Sequence, residues 1–140
     1  MIGYPASTQN LTREIAWGNY NATSAGLSGN EDLGQMSAWY VFSALGFYPV
    51  NPAGVEYVVA SPFFEKVTLR FSAGAATGGV GGKEHEVVIT APGAPTMPFV
   101  KGLRVDGVVI EKPVLTHSQI VTARRIEFEM ATVPQRWGGV

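Results

Sequence analysis

The run Gln35 to Leu45 (QMSAWYVFSAL) constrains this chain more than any other stretch. It holds no helix breaker, stops at Gly46 where a left-handed residue ends helices well, and has Pro49 three residues on, so the spacing predicts a helix over 35–45. Met36, Ala38, Trp39, Tyr40, Val41, Phe42, Ala44 and Leu45 leave that helix almost no polar face. A helix apolar all round belongs among other elements and not on a surface. Ahead of it, Leu11, Ile15 and Ala16 fall at helical spacing behind Thr8, a good N-cap residue, which predicts a short amphipathic helix from Thr8 to about Tyr20. Asn21 to Gly34 is rich in small and turn-forming residues and reads as a polar loop. Two helices do not make a helical domain, so the first fifty residues read as the end of something larger.

After Pro52 the pattern changes to short β-branched and aromatic runs, Glu56 to Ala60, Lys66 to Phe71, Glu86 to Thr90, Phe99 to Val105, Val108 to Glu111 and Arg125 to Met130, and the tail is expected to be all-β. Asp106-Gly107 between two of these runs predicts a type I′ hairpin, because both central positions of that turn need positive φ. The strand spacing suits an antiparallel sandwich or jelly roll. The expected fold class is therefore α+β, with helices over residues 1–52 and an antiparallel β-sandwich-like region over 53–140.

Composition narrows the function. The 140 residues suffice for one ordinary domain. Ten Lys plus Arg against eleven Asp plus Glu give no basic footprint for nucleic acid or an anionic membrane, so a neutral partner is expected. The absence of Cys excludes disulfides, thiolate catalysis and Cys-based zinc sites. The apolar stretch Met36 to Val50 is interrupted by Ser37, Ser43, Gly46 and Pro49, and is shorter than the roughly 20 residues a bilayer crossing needs. The start, Met1-Ile2-Gly3-Tyr4-Pro5, lacks the marks of a secretory signal, so a secreted parent would carry its signal elsewhere. Gly78-Gly79-Val80-Gly81-Gly82-Lys83 fails the phosphate-loop pattern twice, with Thr77 where Gly is needed and Glu84 where Ser or Thr is needed, and reads as a strand connection. His85-Glu86 lacks the second His of a zinc motif, and His117 stands alone and reads as a loop residue. Asn10-Leu11-Thr12 and Asn21-Ala22-Thr23 match the N-glycosylation acceptor, and two in one segment favour a secreted parent.

Chemistry concentrates in Gly29-Asn30-Glu31-Asp32-Leu33-Gly34-Gln35, which crowds carboxylates and amides at the mouth of the apolar helix. Acid-base work needs a carboxylate aimed into a cavity; a helix N-terminus flanked by glycines can aim one, and the helix dipole favours negative charge there. Asp32 fits the part of a base. The alternative is that Asp32 caps the helix while Glu31 complements its dipole. Composition does not choose between the two.

The run from Ser28 through Asn30-Glu31-Asp32-Leu33-Gly34-Gln35-Met36-Ser37-Ala38-Trp39-Tyr40 to Gly46-Phe47-Tyr48-Pro49-Val50-Asn51-Pro52 resembles the signature of glycoside hydrolase family 92, calcium-dependent exo-acting α-mannosidases. The likeness continues through Glu56 to Val67 and more loosely to Gln135-Arg136-Trp137-Gly138. It implies an inverting hydrolase in which a large α/α toroid packs against a β-sandwich, the helices of residues 1–52 being the toroid's end. It further implies Asp32 as general base, Glu31 and Gln35 as substrate-binding residues, and a mannose-containing oligosaccharide or glycoprotein glycan, probed best as an α-1,2 linkage, as substrate. Where the family often has a second Asp that helps hold the water, this chain has Asn30, so an amide must orient it. Inversion needs a base and an acid roughly 6.5–9.5 Å apart with water between. The family's acid lies far upstream, as do most calcium and mannose ligands, and Glu14 matches no acid motif. The resemblance thus implies a C-terminal fragment, inactive alone, that depends on the rest of the parent enzyme and on calcium held mainly outside this chain. The competing expectation is a carbohydrate-binding or structural β-module; Phe63, Phe64, Phe71 and Phe128 read as core residues and not as a sugar-stacking platform.

Overall fold

Pro5 sets where the chain first becomes helical. The computed structural model describes residues 4–72 and 84–137, and helix α1 runs Pro5–Asn19 with Pro5 in its first turn, where a missing N–H costs nothing. It therefore begins three residues before Thr8, whose hydroxyl donates to the Tyr4 carbonyl at 3.3 Å instead of capping. The buried face of α1 is also not the apolar one. Gln9, Arg13 and Ala16, spaced to share one side, face inward, while Leu11 and Trp17 are 52% and 61% exposed and Ile15 is exposed as well. The reason is hydrogen bonding. Gln9 Oε1 accepts from the Val100 amide at 3.0 Å. Arg13, 2% exposed, donates through Nε to Ser61 Oγ at 2.7 Å and through Nη2 to the carbonyls of Pro62 and Ala94. Its guanidinium also lies over the rings of Trp17 and Phe63. Burial pushes the Arg13 pKa down to about 10, so the group stays charged at neutral pH, and its satisfied donors are what make that burial tolerable.

Helix α2 spans Gln35–Leu45 as expected and ends on Gly46, whose φ of 94° lets its amide reach the carbonyls of Phe42 and Ser43. A side chain there would meet Phe128 and Pro62 at 3.0 Å, so both the backbone angle and the space call for glycine. The expected all-round burial of α2 is not met: among the described residues only Ser43 and Ala44 are buried in it, and Val41 is 55% exposed.

Among the described residues eight strands follow: β1 Phe47–Tyr48, β2 Glu56–Val59, β3 Lys66–Phe71, β4 His85–Thr90, β5 Phe99–Val105, β6 Val108–Val109, β7 Val114–Thr116 and β8 Arg125–Ala131. They form a three-stranded sheet, β1-β2-β7, and a five-stranded sheet, β3-β4-β8-β5-β6. Phe47, Val59 and Leu115 from the first sheet meet Val87, Ile89, Leu103, Ile126 and Phe128 from the second in one apolar cluster, which is the sandwich-like core. Pairing among these strands is antiparallel except that β4 runs parallel to β8, Val88 opposite Arg125. The hairpin forms as its dipeptide requires, with Asp106 at φ 49° and Gly107 at φ 83° between paired Val105 and Val108. Asp106 Oδ1 then accepts from the amides of Arg124 and Arg125 at 2.9 and 2.8 Å, tying the turn to β8.

The tail is not purely β. Helix α3, His117–Thr122, interrupts it, closed by a capping box in which Thr116 Oγ1 accepts from the Gln119 amide while Gln119 Oε1 accepts from the Thr116 amide. His117 heads this helix and is not a loop residue; its Nδ1 lies 3.1 Å from the Tyr57 hydroxyl and its ring stacks on that tyrosine. His85 Nε2 meets the Val121 carbonyl at 2.5 Å, and Glu86 pairs with Arg70 at 2.7 Å, so both members of the His-Glu pair are engaged within the fold. The Gly78–Lys83 run lies outside the described residues.

Candidate active site

The loop between α1 and α2 is clamped at both ends. Tyr20, the residue after α1, forms a bridge with Leu27, and the Asn21 amide donates to the Gly26 carbonyl at 3.0 Å, which closes a tight turn. Tyr20 also donates its hydroxyl to the Met36 carbonyl at 3.1 Å and stacks on Trp39 with ring centres 5.5 Å apart. Burial foremost, and then the charge of Glu31 and the nearby Tyr48, push the Tyr20 hydroxyl above its ordinary pKa, so it remains a donor at neutral pH. One aromatic side chain thus joins the end of α1 to the first turn of α2.

What this clamp presents is a strained turn. Asp32, Leu33 and Gly34 have φ of 53°, 61° and 95°, three left-handed residues in succession, two of them not glycine. Each such non-glycine residue costs about 1–2 kcal/mol and persists only where its surroundings over-determine it. The hydrogen bonds that do so begin at Glu31. Its carbonyl accepts from the Met36 amide at 3.2 Å and its Oε1 from the Ser37 amide at 3.1 Å, while the Asp32 carbonyl accepts from the Gln35 amide at 3.3 Å. The side-chain capping of α2 therefore falls to Glu31. Asp32 is exposed, and among the described residues its carboxylate takes no hydrogen bond.

Asn30, Asp32 and Gln35 are each exposed within one short segment. Glu31 is only half-buried, yet its Oε2 is enclosed and has no partner. Two open clefts lie beside the first turns of α2; Gln35 lines one of them and Asp32 lines neither. One of about 330 Å³ is lined by Ser28, Gln35, Met36, Trp39, Tyr20, Asn19 and Ile15. The other, about 370 Å³, is lined by Tyr20, Asn21, Leu27, Ser37, Tyr40 and Val41 among others. A larger hollow of about 480 Å³ lies on the five-stranded sheet beside Arg70, His85 and Glu86, whose polar ends are already paired, and is lined as well by the exposed Glu84.

The described residues do not by themselves fit a calcium ion. Among them no group of three or more acidic or histidine side chains converges on one point. The enclosed Glu31 Oε2 is one oxygen against the 6–8 that calcium takes. Of the phenylalanines weighed as a sugar platform, Phe63 and Phe128 are buried and Phe71 is half-buried against the core, while Phe64, expected inside, is exposed. Asn10 and Asn21, the two acceptor-type asparagines, are both exposed. No described helix is long and apolar enough to cross a membrane. What sequence reasoning missed here is the backbone: Leu33 carries no mark of a left-handed conformation, and Asp32 only the general tolerance of aspartate for one.

The sequence model of the glycosyl hydrolase family 92 catalytic domain matches residues 1–132. A solved inverting mannosidase of that family from Bacteroides thetaiotaomicron superposes with a TM-score of 0.81 at 36% identity, over 99% of this chain and 18% of that one. An α-mannosidase of the same family and organism, in complex with mannoimidazole, gives 0.78 at 35% identity over 94% of this chain and 16% of its own. An uncharacterized secreted glycosidase of the fungus Arthroderma benhamiae is 34% identical over 68 residues, which are 49% of this chain and 9% of that protein. The chain therefore spans less than a fifth of the relatives it matches.

Proposed function

The chain belongs to glycosyl hydrolase family 92, and from that premise we propose that it carries the water-activating half of an inverting α-mannosidase. The observation that carries the reading is Asp32: an exposed carboxylate, free of hydrogen bonds to the described residues, held on a left-handed turn at the N-terminus of α2. Asp32 takes a proton from a water molecule as that water attacks the anomeric carbon on the face opposite the departing sugar. Asn30 orients the water through its amide, and Gln35, exposed beside the 330 Å³ cleft, faces the sugar hydroxyls. An acid donates a proton to the glycosidic oxygen as the C–O bond breaks. That acid comes from outside these residues, since the two carboxyl groups of an inverting pair stand roughly 6.5–9.5 Å apart across the bond and Glu31 adjoins Asp32 with one oxygen on the Ser37 amide and the other enclosed. Calcium, if the parent protein binds it, takes its oxygens mainly from elsewhere, and no step above runs through it.

The proposed substrate is a terminal α-linked mannose of an oligosaccharide or glycoprotein glycan, and the secreted relative supports action outside the cytoplasm. The test uses the full-length polypeptide that carries these residues, with α-1,2-mannobiose and proton NMR of the sugar first released. β-Mannose appearing before mutarotation is the expected result. Release of α-mannose, or no hydrolysis of any α-mannoside, overturns the reading.

A further inference from the structure

Glu31 is the residue of the loop whose chemistry the proposed mechanism leaves unused. One of its carboxylate oxygens is bonded to the Ser37 amide at 3.1 Å, and the other is enclosed without a partner among the described residues. A residue that contacts substrate would leave at least one of them both unbonded and open to solvent. The backbone around it is bonded with the same polarity: the Glu31 and Asp32 carbonyls hold the amides of Met36 and Gln35, so that the free N–H groups at the start of α2 close back over the turn. Leu33 adds nothing to this closure, because its side chain is fully exposed. The left-handed run Asp32-Leu33-Gly34 is thus held by what precedes it and not by its own side chains.

We propose that Glu31 is a positioning residue: by bridging the turn from residue 31 to the Ser37 amide, its side chain keeps the strained backbone at Asp32 in the conformation that aims the Asp32 carboxylate. This deepens the reading of Asp32 as general base and rests on it. What Glu31 supplies is an acceptor oxygen at a given reach. Its charge has no cationic partner within the described loop, and its second oxygen sits where no donor meets it. Glutamine reproduces the reach and the acceptor without the charge; aspartate keeps the charge but falls one methylene short of the Ser37 amide. The two substitutions therefore separate positioning from direct contact with substrate.

The experiment compares Glu31→Gln and Glu31→Asp in the full-length protein by steady-state kinetics on α-1,2-mannobiose and by hydrogen exchange of the peptide covering residues 31–40. Glu31→Gln should keep kcat within about threefold and leave exchange unchanged. Glu31→Asp should lower kcat by about 10- to 100-fold with KM within about threefold, as a displaced catalytic group does, and speed exchange at Ser37 by about tenfold, as loss of a cap does. The opposite order, with aspartate active and glutamine not, would show that the charge touches substrate and overturns the proposal. So does unchanged exchange in both variants. If Asp32→Asn proves fully active, the reading of the base fails instead, while the exchange result still decides whether Glu31 holds the turn.

Discussion

The sheets and the helices of this chain solve burial in opposite ways. The two sheets bury apolar side chains against each other, with Phe47, Leu115, Ile126 and Val87 at or below 1% exposure in a single core. Helix α1 instead buries a glutamine and an arginine and leaves leucine, isoleucine and tryptophan outside. Helix α2 fully buries only Ser43 and Ala44 among the described residues and half-buries Trp39, Tyr40, Phe42 and Leu45. The sheet region thus holds a core of its own, whereas α1 is attached to it chiefly by the directional hydrogen bonds of Gln9 and Arg13, α2 rests Phe42 and Leu45 on its edge, and both helices keep apolar surface uncommitted. An attachment by hydrogen bonds fixes position more tightly than area alone, and position is what the loop at the helix ends needs if it is to aim a carboxylate.

That contrast can be broken at either end. Phe47→Ala should have the largest effect, a loss of about 3–5 kcal/mol in a denaturant melt, because the cavity opens between both sheets. Arg13→Met should cost about 2–3 kcal/mol: it strands the Ser61 hydroxyl and the Pro62 and Ala94 carbonyls, though it also removes a charge that is costly to bury. Arg13→Lys should fare no better, since a compact ammonium cannot reach three separated acceptors as the guanidinium fork does. An Arg13→Met variant as stable as the parent would mean that α1 docks by packing after all. The smallest effect is expected for Leu11→Ala, below about 0.5 kcal/mol in the 140 residues alone. In the full-length polypeptide the same change should cost about 2 kcal/mol or more if further elements of the family's domain cover that face, and equal costs in both would show that it stays bare.

Much of this fold is legible in the sequence where local signals decide. Helix α2 has the limits that its unbroken run and Gly46 set, β3 and β5 match their β-branched runs, and Asp106-Gly107 turns where it should. Signals fail where a distant partner decides. The inward face of α1 is selected by the Ser61, Pro62, Ala94 and Val100 backbone and hydroxyl groups, which no periodicity of apolar residues can foretell. The parallel pairing of β4 with β8 joins segments some 35 residues apart and leaves no local trace. Helix α3 is a different matter: Thr116 and Gln119 form a capping box that the sequence displays, and the β-rich surroundings hid it. At the loop, the residue types pointed to carboxylate chemistry, but the assignment of the cap to Glu31 rests on where its side chain lies.

The central claim is that Asp32 is left free because it is the base. Asp32→Asn in the full-length polypeptide tests it most directly, with kcat measured on α-1,2-mannobiose and the melting temperature recorded alongside. The substitution keeps the shape of the side chain and removes only its capacity to take a proton, so kcat should fall by about 10²–10⁴-fold with the melting temperature unchanged. Turnover within about threefold of the parent would contradict the account.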